Sequence, residues 1–475
     1  MSKLPTGFHQ RVAGIVGDPF VLQDVSSLNI YGADALKQSH PPDMVVLPGS
    51  TQDVSAIARL CHEERVPLVV RGGGTGYTGG AVPRHGGLVM SLERLNRILE
   101  IDELNLLARV QPNVITGDLQ DAVERVGLFY PPDPASLRQS ALGGNVAECA
   151  GGPRAFKYGT TRRYVLALEA VLPTGEIIHT GSKAVKNVVG YDLTQLLIGS
   201  EGTLAILTEI TLRLIPKPPA RATLLAEFGD ISQAVNAVTE LIARRVVPAA
   251  VELVDADSLK ALADHAGRSM ATSGAGAVLI VEVDGRPEAV GPELSLADDA
   301  CRAAGAIVVR RAASEADRED IWHLRRELSA ALKQISPVKL NNDVVVPRGR
   351  VPELFALVKM LRQESGLPIA SFGHAGDGNI HVNIMVPEES NSTGQRADGR
   401  GQKDAMVRAR HAERRLFEGV IALEGSISGE HGIGFTKMPY IGLELSPEEI
   451  ALMKRIKAAF DPHGVLNPGK IFPDG

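Results

Sequence analysis

The chain has 475 residues, 44% hydrophobic and 22% charged, which suits two or three globular domains with substantial cores and does not make disorder the default. Its 50 Lys+Arg against 56 Asp+Glu leave a formal charge of −6, so no general electrostatic attraction to nucleic acid or anionic lipid is expected. Three scattered cysteines, Cys61, Cys149 and Cys301, exclude a disulfide framework, a four-cysteine zinc site and an iron–sulfur cluster, and fit a reducing compartment.

The start, "MSKLPTGFHQRVAGIVGDPF", lacks the basic end and apolar core of a signal peptide, and no uncharged apolar run reaches the ~20 residues that span a bilayer. A cytoplasmic protein is expected, with peripheral attachment to the inner face of a membrane left open. Residues 43–71 predict a βαβ start: the strand "DMVVLP", a helix opened by Ser50 with Asp53 three positions on, then "PLVV". Val54, Ile57, Ala58 and Cys61 form that helix's apolar stripe. The strand "GLVMSL", a helix near "TGDLQDAVERVG" and a loop with "YPPDPAS" follow. Two β-rich stretches come next, "YVLALEAVLPTGEIIHTG", with a turn at Pro173-Thr174-Gly175, and "GTLAILTEITLRLIPKP".

Beyond "IPKPPAR" helices and strands alternate, as in "ISQAVNAVTELIARR", "AVLIVEVDG", "NNDVVVP" and "VPELFALVKMLRQES", which marks a second α+β domain beginning near residue 220. The polar segment "PEESNSTGQRADGRGQKD" predicts a mobile loop within it. The final helix, in "SPEEIALMKRIKAAFDPHGVLNPGK", has Ser446 as N-cap, Pro447 in its first turn and Glu449 completing a capping box, with Leu452, Ile456, Ala459 and Phe460 as its expected buried face.

The loop "RGGGTGYTGG", six glycines in ten residues, lets an oxygen-rich ligand sit against successive backbone N–H groups. No Gly-Lys-Ser/Thr follows, so it is not a Walker A loop. The GxGxxG match of Gly74, Gly76 and Gly79 lacks a following helix, which weakens a nicotinamide-type reading. By itself the loop leaves anion binding and a plain turn both open. A second cluster, "SALGGNVAECAGGPRAFKYGTT", and a third, "LLIGSEGTLAIL" with Glu201 between glycines, remove bulk that would keep backbone from a large planar ligand.

Taken in order, "VVRGGGTGYTGG", "PPDPAS", "ALGGNVAECAGG" with "YGTT", "IGSEGTLAILTEITLRL" and "LNPGK" resemble the FAD-binding domain of the vanillyl-alcohol-oxidase/PCMH flavoprotein superfamily. The resemblance implies an α+β fold. A PCMH-type FAD-binding domain of two α+β subdomains would occupy 1–219 and a ferredoxin-like α+β cap, or substrate domain, 220–435. A C-terminal helical segment, 436–475, would pack back on the FAD domain. It also implies that Arg71, Gly72, Gly73, Gly74, Thr75, Gly76, Tyr77 and Thr78 wrap the FAD pyrophosphate. Pro132, Asp133, Ser136, Gly143, Gly144, Asn145, Ala147, Gly151, Tyr158, Gly159, Glu201, Gly202, Ile206 and Asn467 would line the remainder of the cofactor. Thr75 stands where some members carry the histidine that bonds FAD covalently, so non-covalent FAD is expected.

In the second domain "FGHAGDGNIHVNI" sets His374 and His381 seven apart across an Asp-Gly turn, and "SISGEHGIGFTK" brings Glu430 and His431. Two imidazoles and a carboxylate, if convergent, make an open catalytic metal site, although the spacing alone is equally that of unrelated histidines. These blocks, with "IWHLRRELSAAL" and "VKLNNDVVVP", resemble the D-2-hydroxy acid dehydrogenase branch, which includes the FAD-linked subunit of glycolate oxidase, D-lactate dehydrogenases and D-2-hydroxyglutarate dehydrogenase. The resemblance implies a divalent metal, zinc or manganese, on His374, His381 and Glu430, with His431 as base, Asn383 as a hydrogen-bonding group and Arg325 gripping the substrate carboxylate. Lys339 fits less well: counting back from Pro347, the lysine position of the hydroxyglutarate enzymes falls on Asn341, which tilts the expectation towards glycolate or D-lactate. A hydroxyglutarate-type enzyme and a non-catalytic FAD-binding subunit are the alternatives. With no cysteine cluster in the chain, electrons must pass to a separate acceptor: an iron–sulfur subunit, an electron-transfer flavoprotein, a quinone or a cytochrome. A homodimer or hetero-oligomer is compatible with this.

Overall fold

A computed structural model of the chain describes residues 4–272, 274–336, 338–387 and 400–473. They divide into two compact units, one of residues 1–151, 159–217 and 430–475, the other of 152–158 and 218–429.

In the first unit β1 (Val21–Leu22), β2 (Met44–Val46), β3 (Leu68–Arg71) and β4 (Leu88–Ser91) make a sheet ordered β1-β2-β4-β3, with β2 and β3 both parallel to β4. The crossover from β2 to β3 is the helix Thr51–Glu64. Ser50 starts it, its hydroxyl accepting from the Asp53 N–H at 3.1 Å. Val54, Ile57, Ala58 and Cys61 are buried beside Leu68, Leu88 and Met90, which fixes the exit of β3 and hence the start of the glycine loop. A second layer contains β5 (Ile98–Asp102), β6 (Leu107–Val110), β7 (Leu128–Phe129), β8 (Val165–Val171), β9 (Ile177–Gly181), β10 (Ile206–Arg213) and β11 (Ile215–Pro216). Five of these form an antiparallel sheet, β5-β6-β10-β8-β9, and β11 pairs with β7. The turn joining β8 to β9 is where the Pro-Thr-Gly signal predicts it, with Gly175 at φ 95° donating to the Leu172 carbonyl at 2.8 Å.

The second unit is built on one seven-stranded antiparallel sheet. Its strands are β12 (Ala220–Phe228), β13 (Ala250–Asp255), β14 (Ala277–Gly285), β15 (Val308–Arg311), β16 (Val338–Val345), β17 (Ile369–His374) and β18 (Asn379–Val386), in the order β15-β12-β14-β13-β17-β18-β16. The first four, with helices Ile231–Ala243 and Pro287–Ala303, give the 4-1-3-2 order of a ferredoxin-like βαββαβ motif, carrying the extra helix Ala256–Ala266 between its second and third strands. Strands β16, β17 and β18, with helices Val351–Ser365 and Arg400–Ala422, repeat that pattern. The fourth strand of the repeat is reduced to a bridge between Val345 and Ser426. The halves join through β13 and β17, pairing Glu252 with His374. Helices Ala256–Ala266 and Glu315–Ile335 cover one face, where Leu259, Leu262, Ile321 and Leu328 pack with Val254, Phe372 and Met385.

Two expectations need correction. The terminal helix, Pro447–Phe460, has its capping box, with Ser446 Oγ accepting from Glu449 N–H at 3.2 Å and Glu449 Oε2 from Ser446 N–H at 2.9 Å. Its apolar stripe is not buried, however: Leu452 and Ala459 are exposed and Ile456 and Phe460 half-buried. Polar bonds tie it down instead, Lys457 Nζ donating to the carbonyls of Thr203 at 2.7 Å and Leu466 at 2.8 Å. The polar segment predicted as a mobile loop ends in helix, since Arg400–Ala422 begins within it; residues 388–399 lie outside the described residues. Among the described residues no helix is long and apolar enough to cross a membrane.

Candidate functional site

In the first unit the glycine loop leaves β3 and runs against residues 139–141. A Cβ on Gly73 would stand 2.4 Å from the Gln139 carbonyl oxygen, and one on Gly143 would meet Pro112 Cβ at 2.7 Å, so backbone meets backbone on this side. On the other side there is room. Nothing lies within 4 Å of the Cβ position of Gly144, and at Gly76 only Asp34 Oδ2 comes as near as 3.9 Å. Gly143 and Gly144 lie in the first turn of the helix Leu142–Glu148, which the small-residue composition of that cluster does not reveal. Asn145 anchors the helix, its Nδ2 donating to Thr116 Oγ1 at 2.6 Å, and Thr116 Oγ1 in turn donates to the Ser140 carbonyl at 3.0 Å. Gln120 Nε2 donates to the Pro132 carbonyl at 2.9 Å and fixes the approach to Asp133 and Ser136.

The segment 431–435 closes on the second half of the loop. Thr78 Oγ1 donates to the His431 carbonyl at 3.0 Å, Phe435 N–H donates to the Thr78 carbonyl at 3.0 Å, and the Tyr77 and His431 rings lie 5.5 Å apart. Gly79, at φ 82°, could carry no Cβ without meeting Phe435 Cε1 at 2.0 Å. Glu201, at φ 52°, gives both carboxylate oxygens to this segment, accepting from Ile433 and Gly434 N–H at 2.7 Å each. Its carbonyl accepts from Asn467 Nδ2 at 2.8 Å, beside Gly202. Lys470 Nζ donates to the carbonyls of Gly79 and, at 2.5 Å, Val82; burial lowers its pKa to about 8 despite nearby Asp34 and Glu201.

Several predicted cofactor residues serve the frame. Arg71 Nη1 donates to the Ala33 carbonyl at 2.5 Å, Ala147 accepts from Glu201 N–H at 2.8 Å, and Ile206 is core. Gly151 and Gly159 permit close approach of Glu430 and Arg163. Tyr158 belongs to the second unit, its hydroxyl donating to Asp284 Oδ2 at 2.7 Å. Buried acceptors of the first unit without a hydrogen-bond partner among the described residues include Asn113 Oδ1 and Asn467 Oδ1. Open glycine-walled space with the orphaned Asn113 Oδ1 beside it, 3.9 Å from the Cβ position of Gly72, fits a large ligand that carries both phosphate oxygens and N–H or O–H donors, as FAD does. Asn113 escaped the sequence analysis; its only signal is its place after Pro112 at the end of a strand.

In the second unit the connection Ala375–Gly378 turns β17 into β18. The register pairs Phe372 with His381, so His374 and His381 share one face as diagonal neighbours. Their ring centroids are 5.4 Å apart at 84°, each offers a ligand nitrogen within 4.8 Å of the other's, and both are buried. Asp343, opposite His381 on β16, brings a carboxylate oxygen equally near His381 and accepts from Asn379 Nδ2 at 2.8 Å. Two imidazoles beside carboxylates fit a divalent ion of the zinc or manganese class.

Alternation puts Lys339, Asn341 and Asn383 on the same face. Asn383 is fully buried and donates to the His381 carbonyl at 3.2 Å, while its Oδ1 has no partner among the described residues. Among the described residues Lys339 Nζ reaches only Ser329, at 3.3 and 3.4 Å, and burial, aided by Lys333, lowers its pKa to about 7. Arg325, from the helix Glu315–Ile335, is turned onto Glu252, with Nε 2.6 Å from Oε2 and Nη2 on the same oxygen. Glu252 Oε1 is 2.6 Å from His374 Nδ1. Glu252 also escaped the sequence analysis, although an acid within a wholly buried strand is a signal in itself.

Residues 217–471 match the family model for FAD linked oxidases, C-terminal domain, and residues 42–181 match an FAD binding domain. The chain is 43% identical over 444 residues to the glycolate oxidase subunit GlcD of Bacillus subtilis (strain 168), covering 93% of this chain and 92% of that protein. It is 36% identical over 436 residues to a D-lactate dehydrogenase of Anaerostipes hadrus, covering 90% and 89%. Its fold superposes on p-cresol methylhydroxylase with a TM-score of 0.80 at 17% identity, covering 99% and 98%.

Proposed function

The chain belongs to the FAD-linked oxidases, and from that premise we propose that it oxidises a small D-2-hydroxy acid, glycolate or D-lactate, to the 2-oxo acid. The observation that carries this is the polar face of β16–β18, where two buried imidazoles, a half-buried amine and an orphaned amide oxygen stand together. Glycolate oxidase and D-lactate dehydrogenase are the names of the relatives, which supports the same substrate class.

FAD, when bound, would supply the hydride acceptor, and a divalent ion held by His374 and His381, with Glu430 assigned to it by its sequence motif, would supply a Lewis acid for the substrate hydroxyl. The chain's own groups do the remainder. Lys339 is assigned the substrate carboxylate, which a cationic amine in a dry site attracts strongly. Asn383 Oδ1 accepts a hydrogen bond from the substrate side and limits its orientation. His431, identified by its sequence motif, receives the hydroxyl proton on a ring nitrogen, a task suited to an imidazole near neutral pH. The glycine loop, the first turn at Gly143 and Gly144, Asn113 and Asn467 are assigned to FAD, held without a covalent bond because Thr75 offers no imidazole.

Lys339 also favours a second reading, a dicarboxylate such as D-2-hydroxyglutarate, whose far carboxylate it would hold. Comparing KM for glycolate, D-lactate and D-2-hydroxyglutarate separates the two. For the metal, the test is anaerobic: chelator-treated protein should lose reduction of its flavin by substrate and regain it with zinc or manganese. Unchanged reduction after verified metal removal would refute the assignment. Acid precipitation should leave the flavin in the supernatant; colour in the pellet would show a covalent link.

A further inference from the structure

We propose that Glu252, fixed by Arg325, is a positioning residue that holds the proton of His374 on Nδ1 and so presents the Nε2 lone pair as a ligand. This rests on the assignment of His374 to a metal.

Glu252 sits at the centre of β13 with no solvent exposure, directly opposite His374 in the register. Both of its oxygens are committed. Oε1 is 2.6 Å from His374 Nδ1, and Oε2 takes Arg325 Nε at 2.6 Å together with Nη2. Held at Oε2 by two guanidinium donors and at Oε1 by the imidazole, the carboxylate is fixed from both sides, and the Arg325 guanidinium is itself seated 4.8 Å from the Phe372 ring centroid. Both Arg325 donors converge on Oε2, and a guanidinium stays charged, so the group it grips is the carboxylate. An ionised carboxylate only accepts, so Nδ1 must donate, and the neutral ring then carries its lone pair on Nε2. Carboxylate–histidine pairs of this kind fix the tautomer and ring plane of metal-binding histidines, and their loss costs roughly 10- to 100-fold in metal affinity. Arg325 therefore acts on the site through Glu252.

The experiment measures metal affinity by competition with a chromophoric chelator, and the visible spectrum of cobalt-loaded protein, for the FAD-loaded wild type, Glu252→Gln and His374→Ala. Glutamine is isosteric but can donate as well as accept, so the tautomer is no longer fixed. Expected is a loss of about 10- to 100-fold in affinity with an altered cobalt spectrum, at unchanged FAD stoichiometry. Should Glu252→Gln not fold, the double variant Glu252→Gln/Arg325→Gln, which leaves no buried charge unpaired, should show the same loss. A wild type that takes up no metal would sink the metal assignment and this proposal with it. A Glu252→Gln variant that binds as tightly as the wild type with the same spectrum, while His374→Ala loses affinity, would overturn this proposal alone; a His374→Ala variant that binds like the wild type would overturn the metal assignment of His374 as well. A lowered melting temperature without either metal effect would show Glu252 to be merely structural, and would also overturn it.

Discussion

Glu148 Oε2 and Glu201 Oε1 both crowd the position a Gly432 Cβ would occupy, at 2.2 and 2.9 Å. Burial raises the pKa of each, and for Glu148 the neighbouring Glu201 charge raises it further. A carboxyl whose folded pKa lies above its unfolded value of 4.5 costs nothing in acid and destabilises increasingly as pH rises. Glu148→Gln should thus raise the melting temperature at pH 7 to 8 by a few degrees, on the order of 1 kcal/mol, and the gain should vanish below pH 4.5; a pH series of thermal melts checks it. Lys339 works in the opposite sense. With its pKa near 7, the amine is cationic below that pH, so KM for a carboxylate substrate should rise as pH increases through 7. Lys339→Met should raise KM about tenfold at pH 6 and flatten that profile. The two histidines were legible as residues because their spacing survives as a pattern. Glu252 and Asn113 were not, because each is defined by a partner far away in the chain.

At the scale of elements, the glycine loop divides into two kinds of glycine. Gly79→Ala forces a Cβ onto Phe435 at a backbone angle that L residues avoid, and it should lower both thermal stability and FAD content. Gly144→Ala meets nothing within 4 Å, so stability of the FAD-free protein should hold while FAD affinity falls about tenfold or more; equal FAD affinity would show that the open space is not the cofactor's. Starts of helices were readable, since Ser50 and Ser446 cap through local bonds that sequence alone specifies. The burial of the last helix was not, because periodicity shows only that an apolar stripe exists, and Lys457 supplies the anchoring instead. The helix at Gly143 and Gly144 was hidden for a similar reason: local preference disfavours it, and packing against Pro112 and Thr116 decides.

For the whole molecule, the ordered motifs made the fold class legible. The doubling of the βαββαβ pattern was not, since its second copy keeps only a bridge where a fourth strand would stand. That doubling is what brings β13 beside β17 and so Glu252 beside His374. Cys61 and Cys301 are buried and burial raises both thiols, Cys301 to about 12, so no cysteine pair is placed to relay electrons. Turnover should accordingly depend on an added acceptor, faster with a soluble redox dye than with oxygen alone, in a steady-state assay. The most direct measurement is an anaerobic titration of the FAD-loaded protein with D-lactate, L-lactate, glycolate and D-2-hydroxyglutarate, followed by flavin absorbance. Stoichiometric bleaching by glycolate or D-lactate, and none by L-lactate, is the predicted result; a flavin that no 2-hydroxy acid bleaches would contradict the assignment.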